Sequence, residues 1–96
     1  MKVYQISYDL RKQRDYSSLI KQIKAYDAYA RPLESCWLIA TDQSATQVRN
    51  NLASVMDADD GLLITRLQGE AAWRMVDGDS DGKMSKWLKE QIGQAA

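Results

Sequence analysis

Residues 33–41 read Leu33-Glu34-Ser35-Cys36-Trp37-Leu38-Ile39-Ala40-Thr41. The run is rich in strand formers, and Pro32 before it and Asp42 after it leave too little room for a helix. Trp37, Leu38 and Ile39 put apolar side chains on both sides of the strand, so both of its faces need cover. Tyr29 to Glu34 is expected to form the first half of a hairpin with it.

Toward the N-terminus, a helix precedes the hairpin. Tyr16, Leu19, Ile20, Ile23 and Tyr26 follow the i, i+3, i+4, i+7 rule, with Asp15 as N-cap and Lys21, Gln22 and Lys24 on the polar side. This predicts an amphipathic helix of about 14 residues. Before it, Val3 to Leu10 alternates. Tyr4, Ile6, Tyr8 and Leu10 form an apolar set that should face the core. Ser7 and Asp9 then lie on the opposite face, at the strand's end.

Toward the C-terminus, Thr41, Asp42 and Ser44 offer capping groups. Val48, Leu52, Val55 and Met56 predict a second amphipathic helix running to about Met56. Asp57, Asp59, Asp60 and Gly61 form a turn, and Leu62 to Leu67 is a strand. Ala72 to Val76 suits a short fifth strand. Met84, Trp87, Leu88 and Ile92 predict a terminal helix.

Strand, helix, hairpin, helix, strand is the order of the α+β ferredoxin-like βαββαβ sandwich, with right-handed crossovers onto one sheet. The expectation is one domain over residues 1–96, with a core at about 2–67 and a C-terminal strand/helix appendage at about 70–96. Both helices would cover one sheet face. The tail or a second chain would cover the other.

Composition narrows the chemistry. The chain has 96 residues, no histidine, one cysteine (Cys36) and zero formal net charge. Lack of histidine removes Ser-His-Asp and Cys-His catalysis and histidine-ligated zinc. A single cysteine excludes an internal disulfide. A metal site would be built from oxygens, which selects hard ions such as magnesium, manganese or calcium. The N-terminal MKVYQISYDL has no apolar signal core, and no apolar run approaches the ~18 residues of a membrane span. A cytoplasmic protein without a membrane partner is expected. Residues 1–31 carry seven bases against three acids, and the other 65 carry six against ten. These bases, Arg11, Lys12 and Arg14 among them, leave room for a local basic face near the first helix that could meet nucleic acid, against overall neutrality and the plainer reading of a solvated helix face.

Tyr8-Asp9-Leu10 closing the first strand, Ser35-Cys36-Trp37 on the central strand and Asp59-Asp60-Gly61 before the last strand together resemble the small CRISPR-associated nuclease-like family that partners the CRISPR integrase, and the related virulence-associated D ribonuclease toxins. The resemblance covers about residues 2–67. It implies a ferredoxin-like homodimer in which Asp9 is the first-strand catalytic aspartate, paired across the interface with its copy to hold a divalent metal, Mg or Mn. It places Ser35 close to the same cleft and Arg11 and Arg14 where basic residues meet phosphates. RNA or DNA, and a protein partner, are the partners it implies. Leu33 stands where the family carries a glutamine, and Cys36-Trp37 where it carries Val-Phe or Val-Tyr. The alternative is a non-catalytic dimeric scaffold or a toxin–antitoxin-type interaction protein.

Asp77-Gly78-Asp79-Ser80-Asp81-Gly82 matches the start of a calcium loop, with Asp77, Asp79 and Asp81 as ligands. The twelfth position is Leu88 rather than glutamate, which favours a solvated acidic turn. Cys36 reads as a small buried apolar side chain. Trp37, Trp73 and Trp87 read as core or interface residues rather than stacking platforms.

Overall fold

A computed structural model describes residues 1–10, 16–33, 36–68, 72 and 82–92. The elements are β1 (Lys2–Asp9), α1 (Ser17–Lys24), β2 (Ala28–Leu33), β3 (Cys36–Thr41), α2 (Ala45–Ala53), β4 (Gly61–Leu67) and α3 (Lys83–Ile92). The four strands form one sheet in the order β2-β3-β1-β4, and every neighbouring pair is antiparallel. The result is a small α+β structure in which β1, the first strand in sequence, sits inside the sheet.

The alternation in β1 sorts the core as expected. Tyr4 pairs with Ile39 and Ile6 with Trp37 across β1 and β3, so these four side chains share a face. All four are buried, together with Leu19 and Ile23 of α1 and Val48 and Leu52 of α2. Ile6, Ile23, Ile39, Val48 and Leu52 are completely withdrawn from solvent. Each such side chain contributes roughly 1.5–3 kcal/mol relative to exposure.

The second face carries Val3, Leu38, Ala40 and Ala30, also buried. Helix α3 lies against β2 and buries Leu88, so the tail provides part of the cover that the doubly apolar β3 demands. Cover does not extend to β4, where Leu63 is 62 % exposed.

Helices α1 and α2 are shorter than their apolar spacing predicts. Helix α1 begins after Tyr16, whose side chain makes no capping bond. The expected cap, Asp15, lies outside the described residues. Its last turn tightens, with Ala25 N–H bonding the Gln22 carbonyl and Tyr26 N–H the Ile23 carbonyl, an i→i−3 pattern that ends a helix. The same pattern at Val55 and Met56 stops α2 at Ala53. At its other end α2 has a complete capping box between Ser44 and Gln47, which satisfies two backbone donors at once. The proposed strand at 72–76 lies outside the described residues apart from Ala72.

Candidate functional site at the end of strands β1 and β4

Asp9 is the last residue of β1 and is exposed. The ladder sets it opposite Gly61, the first residue of β4. Two residues earlier, Ser7 pairs with Cys36 of β3 on one side and Leu63 of β4 on the other. Directly paired residues point to the same side of a sheet, so Ser7, Asp9, Cys36 and Leu63 share the face opposite α1 and α2. Ser7, Tyr8, Asp9, Gly61, Leu62 and Leu63, from both faces, line a shallow groove of about 300 Å³ at this end of β1 and β4. Segments far apart in sequence, ending at Asp9, starting at Cys36 and starting at Gly61, therefore meet at one end of the sheet.

The turn that feeds β4 adds carboxylates at this end. Asp57, Asp59 and Asp60 each bring an oxygen to within 4.8 Å of the others. Asp60 accepts from the Tyr16 hydroxyl at 3.1 Å and from the Asp57 main-chain N–H at 3.0 Å. The Asp60 N–H returns a bond to the Asp57 carbonyl at 3.1 Å. These bonds shape the turn and tie it to the start of α1. Three clustered carboxylates are the hard oxygen donors that magnesium, manganese or calcium prefers, so this cluster could hold a metal ion. In the sequence these residues read as a turn, and Asp59-Asp60-Gly61 as part of the resemblance, but not as metal ligands. The signal was the D-x-D-D spacing, whose convergence depends on the turn closing.

The other sequence candidates divide clearly. Ser35, Arg11, Lys12, Arg14 and the loop aspartates Asp77, Asp79 and Asp81 lie outside the described residues. Cys36 is half-buried. Burial pushes its thiol pKa up from the ordinary 9.0, partly offset by a hydrogen bond with Gln5, so it is a poor nucleophile. Trp37 is buried. Its indole N–H donates to the Tyr8 hydroxyl at 3.3 Å, the Arg31 guanidinium lies 5.3 Å from its ring centroid, and the Tyr29 ring centroid is 6.3 Å away. That is a packing role. Trp87 is half-buried on α3, and Trp73 lies outside the described residues.

No family model matches the chain. Among the described residues, no helix is long and apolar enough to cross a membrane.

Proposed function

We propose that the chain is a ferredoxin-like homodimer that cleaves phosphodiester bonds in RNA or DNA with a divalent metal, in the manner of the CRISPR-associated nuclease-like proteins it resembles. The strand order β2-β3-β1-β4, with helices after β1 and β3, supports the ferredoxin-like assignment. The observation that carries the functional reading is the position of Asp9. It is exposed at the end of β1, on the sheet face whose β4 side is left open at Leu63.

One carboxylate is too few for a tight magnesium site. A two-fold pair of chains meeting over the open face would bring two Asp9 carboxylates toward each other. The Asp57–Asp59–Asp60 cluster lies just before Gly61, the cross-strand partner of Asp9, and adds oxygens at the same end. When bound, a magnesium or manganese ion would supply a water of lowered pKa and neutralise charge on the phosphate. The role of Asp9 is to hold that charge at the end of the sheet. The groove that Asp9 lines with Tyr8 and Gly61 would receive the substrate backbone.

The test is incubation of the purified chain with end-labelled single- and double-stranded RNA and DNA, with magnesium, manganese or EDTA. Metal-dependent cleavage that EDTA stops is the expected result. Intact substrate under every metal condition would refute nuclease activity. The exposed Leu63 favours a second reading, a dimeric scaffold without chemistry, in which the same face is an interface and no metal-dependent activity exists to lose.

A further inference from the structure

A chain of polar side chains links α1 to α2 at the other end of the sheet. Gln22 Nε2–H donates to Asn51 Oδ1 at 2.6 Å. Asn51 Nδ2–H donates to the Tyr26 hydroxyl at 2.8 Å, which in turn donates to Gln43 Oε1 at 3.4 Å. Gln43 is also held by its main chain. Its carbonyl accepts from the Tyr4 hydroxyl at 2.7 Å, and its N–H donates to Thr41 Oγ1 at 3.3 Å. Two packed helices ordinarily fill such a crevice with apolar side chains. Here the amides, with Asp27, line a cleft of about 240 Å³.

The chemistry left over defines what the cleft can take. Each amide nitrogen has two hydrogens and each amide oxygen two lone pairs, and the internal chain uses only some of them. The Asp27 carboxylate makes no hydrogen bond or ion pair with a described residue and adds strong acceptors. Among the described residues that line the cleft none is cationic, so a phosphate or carboxylate ligand would meet no counter-charge from them. The volume lies below the ~300–1,000 Å³ usual for drug-sized ligands, so the occupant is small. A ligand with two adjacent N–H donors for the carboxylate, beside a carbonyl for an amide N–H, complements this set.

The Watson–Crick edge of guanine has that pattern, with N1–H and N2–H side by side next to O6. We propose that this cleft is a nucleobase pocket for guanine, with Asp27 accepting from N1–H and N2–H and the Gln43 or Asn51 amide donating to O6. Thr41 at the cleft pairs with Lys2, at the far end of β1 from Asp9. That strand is eight residues long, which separates the two sites by roughly 23 Å at ~3.3 Å per residue. The pocket therefore stands or falls separately from the chemistry assigned to Asp9.

Calorimetry and thermal melting of the full chain with guanosine, inosine and adenosine test it. Guanosine should bind and raise the melting temperature. Inosine lacks the N2 amino group and should bind at least about five-fold more weakly, within the discrimination of a bidentate contact. Adenosine presents an acceptor at N1 to the carboxylate and should give no signal. Asp27→Asn should weaken guanosine by at least about five-fold, with the melting temperature of the unliganded chain unchanged because Asp27 is exposed. Equal binding of guanosine and inosine, undiminished guanosine binding by Asp27→Asn, or no guanosine binding by the unmodified chain would each overturn the assignment.

Discussion

Asp9 and Gly61 stand opposite one another across β1 and β4, and a methyl group built on Gly61 would meet the Asp9 Cβ at 3.5 Å. That is ordinary van der Waals contact. Among the described glycines the left-handed backbone occurs at Gly82, not at Gly61. Nothing in the backbone or in the space therefore requires glycine at this position. Gly61 and Asp9 line the same shallow groove.

Gly61→Ala should accordingly be tolerated. The expected change is a stabilisation of about 0.5 kcal/mol, from reduced freedom of the unfolded chain. Urea denaturation measures it. A loss of more than about 1 kcal/mol would mean that the approach of β1 and β4 is tighter than the geometry indicates.

Leu63 should matter for assembly rather than for folding. It is 62 % exposed on the face proposed to join two chains, and surface changes usually stay within about 0.5 kcal/mol. Sedimentation should show the unmodified chain at twice its 10.9 kDa and Leu63→Glu as a folded monomer. A monomeric unmodified chain at micromolar concentration would remove the interface.

The capping box at α2 gives a local stability test. Ser44 Oγ accepts from Gln47 N–H at 3.2 Å, and the Gln47 side chain accepts from Ser44 N–H at 2.8 Å. Ser44→Ala should cost about 1 kcal/mol, read from the midpoint of chemical denaturation. An unchanged midpoint would show that water replaces both bonds.

Cys36 predicts a pH dependence. Burial raises its folded-state pKa above the ordinary 9.0, so the folded chain holds the thiol proton more tightly than the unfolded chain. The contribution to stability is complete below pH 9 and is lost as pH rises through the folded-state pKa. As pH rises from about 9 through the folded-state pKa, the denaturation midpoint of the unmodified chain should fall more than that of Cys36→Ala. Parallel midpoints across the alkaline range would contradict this. At neutral pH, alkylation of Cys36 should run slower than that of free cysteine.

Much of this architecture is legible in local patterns. The apolar set Tyr4, Ile6 and Tyr8 identifies the core face of β1 because side-chain direction follows a period of two. Helical spacing locates Leu19, Ile23, Val48 and Leu52 in the core for the same kind of reason. The doubly apolar β3 calls for a second layer, and α3 supplies part of it through Leu88. Helix length was less legible, because α1 and α2 end where backbone turns tighten, not where apolar spacing stops. The candidate site was only half legible. Asp9 stands out as a strand-end carboxylate, but its register with Gly61 is a non-local pairing. The meeting of Asp57, Asp59 and Asp60 depends on a turn organised by Tyr16, 44 residues from Asp60 in sequence.

The most direct test of the account is cleavage of labelled RNA and DNA by the unmodified chain and by Asp9→Asn, in parallel, with EDTA treatment and magnesium or manganese added back. Asn keeps the side-chain shape and removes the charge a divalent ion needs. The account predicts that metal restores cleavage by the unmodified chain and that Asp9→Asn stays inactive at every metal concentration while retaining its dimeric state and secondary structure. An Asp9→Asn protein that cleaves at the unmodified rate in a metal-dependent way would contradict the assignment of the metal to Asp9.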